Sequence, residues 1–357
     1  MKTAIDTLIV LPLVGDLAPP HRRATAISIV VSGLLLGILI ARVLSGVVTN
    51  YTSWRNIYWL AFALQYLILG LLWLFLPDYP STNPHGLNYF KMLWSIITML
   101  FKHPILVQAC LVGFCTATTF TSYWTTLTFL LSSPPYNYSP LIIGLFALIG
   151  ICAMCFGPPY SRLVIDKIVP IYSVILGEFI CIIGITIGTY TGTFTVAGPI
   201  IQAFMIDLGL QTSQIANRTA IYAIEPTARN RVNTAYMVST FCGQLVGTSV
   251  GNSLYARGGW TRSGSASVGF IGAALVFCFA RGPHEKGWVG WHGGWGIRRT
   301  DLGPKAQANG PPDEEKASEN APSSADNEET AIEKVADEMA AEPARGHTME
   351  TREEKLK

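Results

Sequence analysis

Residues 206–260 read IDLGLQTSQIANRTAIYAIEPTARNRVNTAYMVSTFCGQLVGTSVGNSLYARGGW, and the spacing within them decides the fold. An apolar helix carries an acid, Asp207, inward. A polar, arginine-bearing turn follows, with Arg218, Arg229 and Arg231. A second helix then sets Ser239, Gly243, Gly247 and Gly251 at every fourth position. Small residues four apart share one helix face and let two backbones pack closely inside a bilayer. The same pattern recurs 206 residues upstream without a gap. Pro20, Arg23, Gly37, Leu39 and Trp54 fall on Pro226, Arg229, Gly243, Leu245 and Trp260, while Gly33, Ala41 and Ser45 fall on Ser239, Gly247 and Gly251. Two such copies in an apolar chain predict an all-α, polytopic membrane bundle built from parallel repeats.

Composition supports the membrane reading. Half the residues are hydrophobic and only 13% are charged. Residues 1–300 carry 18 Lys and Arg against 8 Asp and Glu, whereas residues 301–357 carry 7 against 15, which together make the net charge of +2. The basic residues are scattered between apolar spans rather than gathered in a patch, so nucleic acid is not an expected partner. The seven cysteines lie in apolar runs, where a free thiol behaves as a small hydrophobe. Cys152 and Cys155 have redox or metal spacing but no histidine nearby, and they read as structural filler. Residues 1–17 hold Asp6 and lack a small-residue cleavage pattern, so no cleavable signal peptide is expected.

A spanning helix needs about 20 mostly apolar residues. By that measure Ala4–Val14 is a fragment and eight full spans follow: Ala24–Val48, Ile57–Leu76, Ile105–Leu131, Leu141–Tyr160, Pro170–Tyr190, Thr193–Leu210, Val232–Leu254 and Ser265–Ala280. Lys and Arg concentrate in alternate connections: His21–Arg23, Lys91–Lys102, Arg162–Lys167 and Arg218–Arg231. These are predicted to face the cytoplasm. The sequons at Asn50 and Asn137 would then face outward and the one at Asn217 inward. Tyr89–Lys102 is too short to span and reads as a helix lying in the cytoplasmic interface. Trp288, Trp291 and Trp295 read as an interfacial belt, and residues 300–357, rich in Glu, Ala, Pro and Ser, as a disordered cytoplasmic tail.

Four stretches resemble the major facilitator superfamily, in particular its drug and small-molecule:proton antiporter-like branch. They are LAPPHRRATAISIVVSGLLLGILIARVLSG (17–46), FTSYWTTLTFLL (120–131), LIIGLFALIGICAMCFGPPYSRLVIDK (141–167) and the region from IDLGLQ to NTAYM (206–237). The resemblance implies spans equivalent to family helices 5–12, preceded by the end of helix 4. It therefore implies a chain shortened at its N-terminus, lacking the first three helices and most of the fourth. In those terms residues 1–79 are the remnant of an N-terminal bundle, 80–103 a cytoplasmic interfacial linker, 104–282 a C-terminal six-helix bundle, and 283–357 an interfacial stretch and tail. Two motifs depart from the family pattern. In the antiporter motif Gly37, Ala41, Ser45 and Gly46 keep the small face, but Arg42 stands at the proline position. In the loop motif Leu163, Asp166 and Lys167 keep the shape without its leading glycine.

The resemblance implies transport of a small molecule by alternating access, coupled to protons, in a multi-pass protein of the plasma membrane. A shortened, non-transporting membrane interaction or regulatory protein is the alternative. Ionisable groups within spans are costly and mark pathways. Asp207, with Gln211 one turn on, is expected either to exchange a proton or to pair with a loop arginine such as Arg218. Glu178 is a coupling candidate or a neutralised structural acid. Arg42 either attracts an anionic substrate or reaches the outer interface. Tyr123 and Trp124, in a run of hydroxyl residues, are candidate substrate contacts or packing residues. Gly33, Gly37, Ala41, Ser45, Gly243, Gly247 and Gly251 are expected to pack helices, and Arg23, Asp166, Arg229 and Arg231 to form cytoplasmic loop motifs. No catalytic, phosphate-binding or metal motif occurs, so neither enzymatic activity, a cofactor nor a metal is expected.

Overall fold

Proline opens the helices Pro104–Ser132, Pro140–Leu145 and Pro170–Thr191. In a first turn its missing N–H has no intrahelical partner to lose. The computed structural model describes residues 22–75, 89–224, 228–285 and 287–298. The fragment at 4–14, the Asp6 carboxyl, the connection at 76–88 and the tail at 299–357 lie outside the described residues.

In chain order the helices are α1 (Arg23–Tyr51), α2 (Arg55–Phe75), α3 (Tyr89–Lys102), α4 (Pro104–Ser132), α5 (Pro140–Leu145), α6 (Ala147–Met154), α7 (Gly157–Tyr160), α8 (Pro170–Thr191), α9 (Ala197–Ile224) and α10 (Arg229–Ala280). The described residues form no strand, only two isolated bridges. Six helical stretches are long and apolar enough to cross a membrane, including Pro140–Ile165 taken as one.

Four expected spans differ from the structure. Leu141–Tyr160 is not one helix: it breaks into α5, α6 and α7 and ends in a π-helical turn, Ser161–Ile165. Pro158 and Pro159 cannot donate to the preceding turn, and their rings crowd it. Thr193–Leu210 begins later and runs 14 residues further, to Ile224. Its second half is polar yet buried, so Arg218 belongs to the helix and not to a turn. The last two spans meet at Gly258–Gly259, the only non-helical residues within α10. Gly259 has φ +65°, a conformation open to glycine and strained for other residues. It reverses the chain between limbs 229–257 and 260–280.

The tight core is made by α4, α8, α9 and α10. Gly243 and Gly247 face the α4 carbonyls of Phe114 and Thr118, and Gly251 faces the Ser122 side chain; a Cβ at any of them would collide there. Thr118 Oγ1 donates to the Gly243 carbonyl at 3.0 Å and Ser239 Oγ to the Cys110 carbonyl at 2.8 Å. Gln108 caps the end of α10, its amide donating to the carbonyls of Phe277, Cys278 and Arg281. These are orphan acceptors of a helix C-terminus.

The upstream copy of the small face is placed differently. Gly33 and Gly37 have nothing within 4 Å of where a Cβ would stand. The close approach of α1 is at Gly46, which meets Pro140 and Gly144 of α5. By contrast α2 is bare, with no residue of its span buried and Trp73 88% exposed.

Candidate functional site

The buried polar groups gather where α9 passes α1, α4 and α6. Asp207 and Gln211 stand one turn apart on α9, and each is fully buried. The side chain of Asp207 lies against Gly150 of α6, which Leu39 of α1 also approaches, and that of Gln211 against Gly157. A methyl group at either glycine would strike the polar side chain. Gln211 Nε2 donates to Ser32 Oγ at 2.5 Å and to the Met154 carbonyl at 3.1 Å, tying α9 to α1 and α6. Neither carboxylate oxygen of Asp207 has a hydrogen-bond partner among the described residues. Its charged neighbour is Arg42, and the Trp124 indole approaches it outside good hydrogen-bond geometry. The pairing of Asp207 with Arg218 does not occur, because the two lie eleven residues apart on one helix, about 16 Å along its axis.

Arg42 stands 4.6 Å over the Trp124 ring, a cation–π contact. Both border a cavity of about 670 Å³ that α1, α4 and the start of α5 enclose, with Ser45 and Tyr138 in its wall. Tyr123 is turned away from that cavity. Its hydroxyl donates to the Pro199 carbonyl at 2.8 Å, and its ring packs against Trp124 and Trp260. A second cavity, about 580 Å³, lies toward the other end of α1 and shares only Ile38 and Ala41 with the first. Gly33 and Gly37 line it on one side and Arg218 on the other. Cavities of this size hold small molecules.

Glu178 is fully buried within the tight core. Thr116 and Ser213 each donate to its Oε1 at 2.8 Å, while Oε2 has no partner. It therefore links α4, α8 and α9 at a distance from both cavity walls. The expected loop residues form fastenings. Thr25 donates to Asp166 Oδ2 at 2.6 Å, Arg229 Nε to the Tyr222 carbonyl at 3.3 Å, and Arg231 to Ser95 of α3 at 3.3 Å. Arg23 opens α1, but its side chain lies outside the described residues. No metal-binding cluster of His, Cys, Asp or Glu occurs among the described residues.

Beyond the last helix, residues 281–298 fold back. Trp291 packs on Phe279 and Trp295, and its indole donates to the Phe279 carbonyl at 2.6 Å. Val169 N–H donates to the Ile297 carbonyl at 2.9 Å. Glu285 accepts from the amides of Gly287 and His292, which hold its carboxyl below the usual range.

Sequence reasoning missed the buried state of Arg218 and the clearance made by Gly150 and Gly157. The first had a signal: Arg218 sits two positions past Ala216 in a pattern that keeps helical spacing through Ile221. The second needs the fold.

The Major Facilitator Superfamily model matches residues 4–224. The uncharacterized transporter YgaY of Escherichia coli O157:H7 is 36% identical over 282 residues, 78% of this chain and 69% of that protein. The probable transporter SCO4007 of Streptomyces coelicolor is 27% identical over 259 residues, 72% of this chain and 59% of that protein. Among solved structures, the human organic anion transporter MFSD10 superposes with a TM-score of 0.62 at 15% identity, over 76% of this chain and 67% of that one. The transporter FucP in its outward conformation gives 0.54 at 14% identity, over 76% and 71%. These two likenesses speak for the fold alone. With its all-α, multi-pass architecture, the chain belongs to the Major Facilitator Superfamily.

Proposed function

We propose that this protein is a secondary transporter, carrying a small molecule across the plasma membrane by alternating access with a proton as the coupled ion, its N-terminal and C-terminal bundles rocking about a midplane site. Asp207 is the observation that carries this reading. It is fully buried, its oxygens have no hydrogen-bond partner among the described residues, and it neighbours Arg42 behind the cavity wall. An intramembrane acid so placed is costly unless it is used. Arg42 offsets part of the cost of a charge at this buried site, so substrate or helix movement that draws Arg42 away favours protonation of the carboxyl. Trp124 and Arg42 contact the substrate, Tyr123 buttresses Trp124, and Gln211 holds α9 to α1. Glu178 is a second, more deeply enclosed acid. On this reading the arginine-bearing ends and the tail face the cytoplasm.

One observation favours the alternative of a non-transporting interaction protein: α2 fully buries none of the apolar residues in its span, and Trp73 is exposed. Reconstitution separates the two. In proteoliposomes screened with labelled organic acids, bases and neutral solutes, an imposed pH gradient should drive accumulation of one class. Asp207→Asn should abolish that accumulation yet leave counterflow exchange. Accumulation unchanged in Asp207→Asn would remove Asp207 from coupling, and no flux of any class would favour the interaction protein.

A further inference from the structure

The two cavities each contain one arginine, and the arginines differ in how their charge is met. Arg42 has the Asp207 carboxylate as a neighbour and the Trp124 ring beneath it. Arg218 is only 1% exposed and has no carboxylate partner among the described residues. Its Nη1 donates to Gln214 Oε1 at 2.7 Å and its Nη2 reaches Met237 Sδ at 3.1 Å. Its guanidinium carbon lies 5.4 Å from the Tyr236 ring centroid, and Nε has no hydrogen-bond partner among the described residues. An amide, a thioether and an aromatic face solvate a cation without neutralising it. Burying such a charge uncompensated is expensive, and the expense falls when a counter-ion arrives.

The place for that counter-ion is the 580 Å³ cavity that Arg218 lines. No acidic residue is among its lining residues. Gln214 stands at the arginine and Thr240 and Gln244 add polar groups to the lining, whereas Phe120, Met237 and Phe241 make an apolar wall. Gly33 and Gly37 keep the opposite side empty. We propose that this cavity binds an amphipathic organic anion, with its acid group on Arg218 and its apolar body along the aromatic and methionine wall. The proposal names the substrate class for the transport reading and rests on it only in that respect, since binding can be measured without flux.

The test uses labelled 2-naphthoate and its neutral isostere 2-naphthamide, bound to the purified full chain in detergent and followed by scintillation proximity. Naphthoate should bind at least tenfold more tightly. Arg218→Gln should remove that preference, Arg218→Lys should restore part of it, and Arg55→Gln, which removes an exposed arginine, should leave it intact. Gly37→Leu should weaken both ligands by filling the cavity without touching the charge, and so serves if Arg218→Gln fails to fold. Equal affinities, or a preference that survives Arg218→Gln, would overturn the proposal. So would a preference lost in Arg42→Gln alone, which would put the anion in the other cavity. An Arg218-dependent preference without flux would retain the site and sink the transport reading; flux of neutral solutes without charge preference would do the reverse.

Discussion

The two copies of the small-residue face share a spacing and little else. In α10, Gly243, Gly247 and Gly251 lie on the α4 backbone, close enough that Thr118 hydrogen-bonds across the seam. In α1, Gly33 and Gly37 touch nothing and border a cavity. Spacing makes a face that two backbones can share, but a neighbour must be present for the packing energy to be realised. The same motif therefore fastens one half of the molecule and opens the other. This division runs through the polar residues as well. Glu178 sits in the fastened half with two hydroxyl donors, whereas Arg218 stands on the open side without a counter-charge among the described residues.

Substitutions on the two sides should separate widely. Gly247→Leu drives a side chain into the Thr118 carbonyl, and over-packing of this kind costs roughly 3 kcal/mol or more when backbone is struck. Thermal denaturation in detergent should show the largest loss of any variant here. Glu178→Ala leaves the Thr116 and Ser213 hydroxyls buried; both bond elsewhere to backbone or amide groups in part, so the loss should be about 2 kcal/mol. Glu178→Gln, which keeps an acceptor, should lose less. Gly37→Leu, on the open side and matched to Gly243 one turn before Gly247, should change stability by under about 1 kcal/mol and in the favourable direction, because leucine is the better helix former. If Gly37→Leu proved as damaging as Gly247→Leu, the contrast between the copies would fail.

The smallest effect belongs to the loop after α10. Glu285 is held below the ordinary carboxylate range by the Gly287 and His292 amides. A depressed folded value contributes stability above the unfolded value, about 4.3, and that contribution is lost as pH falls through the folded value. Protection of the His292 amide against hydrogen exchange should therefore be present near neutrality and fall in acid. Glu285→Gln should show weakened protection and no acid-dependent step.

Much of the fold is legible from hydropathy. The apolar runs, the small faces and the return of one pattern 206 residues later place the chain in its family. What hydropathy reads poorly is a helix whose polar side faces inward. The sequence of α9 loses its apolar character at Gln211, yet the helix continues to Ile224 because Gln211, Ser213 and Asn217 find partners inside the bundle. Arg218 was hidden for that reason. The candidates Asp207 and Arg42 are readable as charges within spans. Their proximity to each other, and the cavities beside them, come from the packing of α1 against α5, α6 and α9.

Under the proposed alternating access, the two cavities, set toward opposite ends of α1, would be reached from opposite faces of the membrane, and cysteine accessibility reads this directly. In a background with the seven native cysteines replaced, Ser45→Cys would report on the cavity of Arg42 and Gln244→Cys on that of Arg218. A membrane-impermeant thiol reagent should label the two from opposite faces. A bound substrate should shift their rates in opposite directions. Labelling of both from one face, or rates that ignore every solute tested, would contradict the account.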